Sequence, residues 1–378
     1  MSEVAMGEKL LSLLSGESYC APDFSSSAFR SSPVASFEPA PADGVAPEGF
    51  HATSNHPEYI KSEDGSWHLL RESRMDAVIV WRHGSFDVVE GRRLKKGELV
   101  VLGRSEDGQE GILVHTEGFP DQEARQEKFA FRTRGTRESP FSSRYEELYQ
   151  VLRHDRDHGS IVWVAGPAVV FDQDSRNSLA QLIDAGFCHG LLAGNALATH
   201  DLEAGFYGTA LGQDIYDQRI LSGGHYHHLD ILNGVRRAGS IQQAFQSLEG
   251  TDSGVMGALE RNAIPYVLAG SIRDDGPLPE VEADVYRAQD AMRLHARQAT
   301  TVVALATQLH SIAFANQLPG YRVLNDGKVR PVMLVVVDTT EFSADKLANR
   351  GSGQARAFLT NVQDFMTHLA RNLVESVK

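Results

Sequence analysis

From residue 161 onward, short continuous apolar runs alternate with stretches of helical spacing, and few folds accept that texture. The runs cover residues 161–164, 190–193, 266–269, 301–306 and 332–337, each closing on glycine or a polar residue. Between them, residues 175–185, 200–207, 229–237, 240–248, 254–262 and 284–297 set apolar side chains at helical intervals. Strands that are apolar on both faces belong to a parallel sheet covered by helices on each side. A final stripe through Phe358, Val362, Phe365, Met366, Leu369 and Leu373 predicts a long C-terminal helix. The expected fold is therefore α/β, with a doubly wound parallel-sheet domain over residues 141–378 and a helix at 142–155 leading into it.

The first half reads differently. Short β-like runs at 68–70, 77–81, 86–89, 98–102 and 111–115 are separated by Asp64-Gly65, His83-Gly84 and Asp107-Gly108 turns. That spacing suits hairpins and leaves no room for crossover helices. A small β-rich domain is expected over residues 46–140. Residues 1–45, rich in Ser and Pro, are expected to form an extension that is partly disordered, apart from an amphipathic piece at 8–14.

Composition narrows the partners. With 36 Lys+Arg against 50 Asp+Glu, the net charge is −14, which disfavours nucleic acid and anionic membranes. A small-molecule partner is the better expectation. The only cysteines, Cys20 and Cys188, are too few for a disulfide framework and fit a reducing, cytoplasmic setting. No apolar run is long enough to cross a bilayer.

Open α/β sheets bind ligands beyond the carboxyl ends of their strands. Five of the runs end in small or polar segments: Ala165-Gly166-Pro167-Ala168, Ala193-Gly194-Asn195-Ala196, Ala269 through Pro277, Ala306 through Ser311, and Asp338-Thr339-Thr340. Of the 34 glycines, 21 lie from Gly159 onward. Small residues there let a phosphate approach a helix N-terminus, so a dinucleotide is a physical expectation. The usual GxGxxG is absent, however, since Gly351-Ser352-Gly353 runs on into Gln354-Ala355-Arg356 and lies well past Asp338. Tight turns in a packed α/β domain explain the same glycines without a ligand.

Individual polar residues leave similar alternatives. Asp338 suits a ribose diol or a helix N-cap. His225, His227 and His228 suit proton transfer or substrate contact, or an exposed loop. Their spacing does not fit one helix face and no acidic or Cys partner recurs at ligand spacing, so no metal is expected. Asp274-Asp275 suits an ammonium group or an Asx turn before Pro277. Lys346 is a solvated helix charge, a base of lowered pKa, or a contact for a substrate carboxylate. No G-x-S-x-G elbow, Walker loop or HExxH is present.

Taken together, Phe50-His51-Ala52-Thr53-Ser54-Asn55-His56-Pro57, Ala193 through Asp201, Gly223-Gly224-His225, Arg237-Ala238-Gly239-Ser240-Ile241, Ala269 through Pro279, Leu309-His310-Ser311-Ile312-Ala313 and Lys346-Leu347-Ala348-Asn349-Arg350-Gly351-Ser352 resemble one family. It is the LOR/SDH conserved-region family, which includes archaeal-type NAD-dependent ornithine cyclodeaminases and the C-terminal part of cyanobacterial arginine dihydrolase fusion proteins. The resemblance runs from about Ala46 to the C-terminus. It implies a β-rich domain followed by a Rossmann-like domain akin to deoxyhypusine synthase, which binds NAD without the glycine fingerprint. It also implies conversion of L-ornithine to L-proline and ammonia, within arginine and ornithine metabolism and proline biosynthesis. A hydride leaves Cα to NAD+, the δ-amine attacks the imine, ammonia departs and the hydride returns.

On this reading the catalytic candidates are Asp274, Asp275, His225, His228 and Lys346. Asn55, Arg273 and His310 would bind the small cationic amino acid. Gly194, Asn195, Ala196, Asp201, Gly270, Ser271, Asp338, Gly351 and Ser352 would hold NAD. A net amino-acid or opine-type NAD oxidoreductase, and a non-catalytic NAD-sensing protein, are the competing functions. The apolar C-terminal helix fits either a homo-oligomer contact or an internal face.

Overall fold

The structure, a computed structural model, describes residues 3–119, 141–247, 253–274, 276–340 and 354–374. In chain order the first part carries α1 (Glu3–Leu14), α2 (Ser27–Ser31), β1 (Ser36–Pro39), β2 (Glu58–Lys61), β3 (Trp67–Leu69), β4 (Val78–Arg82), β5 (Ser85–Val89), β6 (Leu99–Leu102) and β7 (Ile112–Val114). Next come α3 (Phe141–His158), β8 (Ile161–Ala165), α4 (Gln173–Asp184), β9 (Gly190–Gly194), α5 (Asn195–Tyr207), the short pair β10 (Thr209–Ala210) and β11 (Gln213–Asp214), α6 (Gly224–Ala238), α7 (Ile241–Ser247) and α8 (Gly254–Arg261). They are followed by β12 (Tyr266–Ala269), β13 (Val281–Glu282), α9 (Val285–Ala296), β14 (Thr301–Leu305), α10 (Gln308–Gln317), β15 (Tyr321–Val323), β16 (Val329–Pro331), β17 (Met333–Asp338), β18 (Gln354–Leu359) and α11 (Val362–Leu373).

These elements divide into two units. One is built from Met1–Phe131, Asn316–Val332 and Gly351–Gln354, the other from Arg132–Ala315, Met333–Arg350 and Ala355–Lys378. The first holds a four-stranded sheet of order β1-β6-β4-β5 and a three-stranded sheet of order β3-β2-β7. All of their pairings are antiparallel. The β4–β5 hairpin closes through His83 and Gly84, both left-handed at φ 50° and 83°, the backbone that two-residue hairpin turns require. Ser36–Pro39, inside the Ser/Pro-rich segment, supplies β1 and pairs Ser36 opposite Leu102. The β15–β16 hairpin also belongs to this unit, with Tyr321 and Val329 packed against Leu13 and Phe119.

The second unit holds a seven-stranded sheet of order β13-β12-β9-β8-β14-β17-β18. Strands β12 and β13, β12 and β9, β9 and β8, β8 and β14, and β14 and β17 all pair in parallel. Every residue of β8 and β14 is buried. Because successive side chains point to opposite faces, both faces of the sheet are covered, which is why these runs are apolar throughout. The chain winds outward from β8 through β9 and β12, then returns to β14 on the other side and continues to β17. The order therefore reverses between β8 and β14.

Two details differ from the sequence expectation. Phe358 lies in the edge strand β18, and the last helix begins at Val362, where the Asn361 side chain accepts from Gln363 N. Helix α6 begins at Gly224, five residues earlier than its apolar spacing indicates, because His225, Tyr226, His227 and His228 carry no hydrophobic period. The apolar stripe of α11 (Val362, Phe365, Met366, Leu369 and Leu373) is buried in its own unit's core, the internal face that was one of its two sequence readings. Burial of each such Leu or Phe contributes roughly 1.5–3 kcal/mol. No described helix is long and apolar enough to cross a membrane.

Candidate active site

A doubly wound sheet presents its crevice beyond the strand ends where the order reverses, here between β8 and β14. Backbone at that point is packed tightly. A Cβ on Gly166 would stand 2.3 Å from the Ala306 carbonyl oxygen, so glycine is required there. Gly166 N donates to Leu305 O at 2.9 Å. Ala306, the first residue past β14, is left-handed at φ 46°, a strained state for a residue with a side chain and one that clusters at functional sites.

The sharp turn at Ala306 starts α10 at Gln308 and carries His310 across to the end of β9. A Cβ on Gly194 would lie 2.9 Å from His310 Cε1, so Gly194 makes room for the imidazole. Thr307 Oγ1 and His310 Nδ1 are 3.5 Å apart. Burial pushes the His310 imidazole below its ordinary pKa, and the nearby Asp274 carboxylate opposes that in part. Asp274 itself orders the loop after β12, its Oδ2 accepting from Ser271 N at 2.9 Å. Gly194, Asp274 and His310 thus converge from the ends of β9, β12 and β14.

The loop after β12 is fixed at several points. Asn195, 7% exposed at the start of α5, accepts from Leu278 N at 3.0 Å through Oδ1. Arg236 Nε of α6 donates to Pro277 O at 3.1 Å. Gly270 N donates to Glu282 O at 2.8 Å. Ser271 and Arg273 lie exposed on this loop, joined by a hydrogen bond from Arg273 N to Ser271 Oγ. Gly194 and Ala196 flank Asn195 at the helix N-terminus, a position whose free amides suit a group of negative charge. Asp338 closes β17 and accepts from Thr340 N and Thr340 Oγ1 at 2.9 and 3.0 Å.

Several expected site residues sit elsewhere. Asp201 is fully buried in α5 and accepts from Arg176 Nε at 2.7 Å, Val255 N at 3.0 Å and Met256 N at 2.7 Å. Its carboxylate is consumed by the N-terminus of α8 and a buried guanidinium, which corrects its expected place among the cofactor contacts. Asn55 belongs to the β-rich unit, where its Oδ1 accepts from Met75 N at 3.2 Å. Asp275, Lys346, Gly351 and Ser352 lie outside the described residues.

The histidines of 225–228 are helical rather than in a loop, and they separate. His225 is exposed, with its ring 4.2 Å from that of Tyr226. His227 stacks on Tyr207 and bonds Thr209 Oγ1 at 2.9 Å. His228 turns inward against His200 and Glu203 of α5. The acidic partner missing from the local sequence comes from the preceding helix, which spacing along the chain does not reveal. Gly166, Ala306 and Thr307 were likewise not singled out as site residues, although the small residues after the first strand were the available signal.

The chain is similar to known proteins over most of its length. Residues 146–369 match the family model described as arginine dihydrolase ArgZ-like, C-terminal, Rossmann fold. Ornithine cyclodeaminase of Methanopyrus kandleri is 39% identical over 347 residues, covering 89% of this chain and 77% of that protein. A LOR/SDH protein from Methanococcus maripaludis superposes with a TM-score of 0.80 at 33% identity, over 92% of this chain and 100% of the other. The ternary complex of AgrE with ornithine and NAD+ matches at a TM-score of 0.56 and 30% identity, covering 100% of this chain and 50% of AgrE.

Proposed function

The chain belongs to the LOR/SDH family of archaeal-type ornithine cyclodeaminases, and from that premise we propose that it converts L-ornithine to L-proline and ammonia with NAD. The observation that carries this reading is the convergence of Gly194, Asp274 and His310 at the carboxyl ends of three parallel strands. They stand close to where the strand order reverses between β8 and β14, the point at which Gly166 packs against the Ala306 backbone. The residues present fit the cofactor. The α5 N-terminus at Asn195 and Ala196, which lies beyond the carboxyl end of β9, offers amides to phosphate.

When bound beside Gly194, Asn195 and Ala196, NAD would supply a hydride acceptor and donor for the substrate's Cα, with no net oxidation. The protein must then hold an amino acid with two cationic amines and move protons at each. His310, kept neutral by burial, accepts a proton at Nε2 or Nδ1 without first having to lose one. Asp274 supplies negative charge beside it and suits an ammonium group. Arg273, exposed on the same loop, suits the substrate carboxylate. Asp275 and Lys346 are further candidates for the amine and carboxylate contacts. Proline as product, a cytoplasmic setting and self-association complete the proposal.

Purified protein incubated with L-ornithine and NAD is expected to release ammonia and proline in equal amounts while NADH absorbance stays flat. Stoichiometric NADH would instead make the protein a net oxidoreductase. NAD binding with no ammonia from ornithine would leave a sensor.

A further inference from the structure

His228, a catalytic candidate by sequence, stands apart from the Gly194, Asp274 and His310 convergence and instead joins two buried ligand-type side chains. His200 and Glu203 come from one side of α5, and His228 comes from α6. His200 is 5% exposed and Glu203 fully buried. His200 Nδ1 and Glu203 Oε2 are 3.0 Å apart. The His200 and His228 rings stack with centroids 5.1 Å apart and 28° between their planes. One ligand atom from each of the three residues lies within 4.8 Å of the others.

Two features of the cluster are left unexplained by packing alone. Among the described residues, the only ion-pair partner of the buried Glu203 carboxylate is His200. The carboxylate is held in place by hydrogen bonds with His200 Nδ1, Gly212 N and Thr209 Oγ1. The second feature is His228 Nδ1, which is buried and has no hydrogen-bond partner among the described residues. Buried polar atoms without partners are rare and call for an explanation.

We propose that His200, Glu203 and His228 bind a divalent transition ion of the zinc class, through two imidazole nitrogens and one carboxylate oxygen, with a fourth position open. Two His and one carboxylate form a recurrent zinc set, and bonds of about 2.0–2.2 Å in a tetrahedron separate ligand atoms by roughly 3.3 Å. The 3.0 Å between His200 and Glu203 is close to that separation. The outer partners are in place. Gly212 N and Thr209 Oγ1 donate to Glu203 Oε1 at 2.9 and 2.8 Å, and Leu211 N donates to Oε2 at 3.2 Å, fixing the carboxylate's orientation. The loop that supplies them is pinned to α6, where a Cβ on Gly224 would fall 2.1 Å from Gly212 O. An ion here would tie α5, that loop and α6 together.

The test uses the full chain without a histidine tag, dialysed to equilibrium against zinc sulfate and read by elemental analysis. One tightly held zinc per chain is expected, and its affinity should fall at least about tenfold in His200→Ala and in His228→Ala. A His83→Ala control, which removes an exposed histidine, should keep it. Equal zinc binding by the wild type and both cluster variants would overturn the assignment. Should either variant fail to fold, the wild type loaded with cobalt(II) decides the matter: an intense visible band of a four-coordinate ion supports the site, and its absence overturns it.

Discussion

Replacing Asp201 with alanine is expected to destabilise the α/β unit by about 3–5 kcal/mol, the range for removing one partner of a buried ion pair. Arg176 is 5% exposed and sends Nε to Asp201 Oδ1 at 2.7 Å. Its other contacts, from Nη2 to Ser253 O at 2.8 Å and Asp201 O at 3.1 Å, do not neutralise its charge. The same carboxylate accepts from Val255 N and Met256 N, two free amides at the start of α8. Those amides and the guanidinium would be left buried without an anion.

Roughly 2–4 °C of Tm per kcal/mol makes the loss visible in a simple melt. Asp201→Asn keeps one acceptor oxygen but aims an amide at a second N–H, so an intermediate loss is expected. The measurement also separates two roles. A cofactor contact would lower NAD affinity at unchanged Tm, whereas the capping role lowers Tm and leaves the NAD Kd of the folded protein within a few-fold.

Asp201 marks where sequence reasoning stops. The parallel strands were legible because burial on both faces forces continuous apolar runs, and β8, β9, β12, β14 and β17 fall where those runs lie. Strand ends were legible as a class for the same reason, since glycine and polar residues mark where burial ends. Which polar residue faces the crevice was not. Asp201 sits seven residues past Gly194, and one further helical turn buries it against α8 instead.

Contacts between distant segments were hidden more deeply. His310 meets Gly194 only because β14 crosses back beside β8 and turns at Ala306, a backbone state no spacing announces. Glu203 reaches His228 across two helices. The hairpin of β15 and β16 joins the β-rich unit from just over two hundred residues downstream of β7. Local periodicity carries no information about such returns.

His310→Ala is expected to lower kcat for ornithine by about 10²–10⁴-fold, the usual contribution of a positioned acid–base group. NAD Kd should move little, because the residue faces Gly194 from α10 rather than supplying the amides of the α5 N-terminus. The pH profile distinguishes proton transfer from simple packing. Burial disfavours the charged imidazole, so its pKa in the folded protein lies below the ordinary value of about 6.5. A neutral base is then available above that depressed pKa, and the acid limb of kcat/KM should fall below pH 6.5. Asp274 opposes the depression, so Asp274→Asn should carry the limb lower still, whatever it does to the maximal rate. The stability linkage has the matching sign, with the contribution of neutral His310 present above the unfolded pKa and lost as pH falls through the folded one. Gly194→Ala gives an independent check, since its Cβ would stand 2.9 Å from His310 Cε1 and displace the ring. That variant should lose turnover while His310 is retained. A loss under about tenfold in His310→Ala, or an acid limb that ignores Asp274, would remove the imidazole from the reaction.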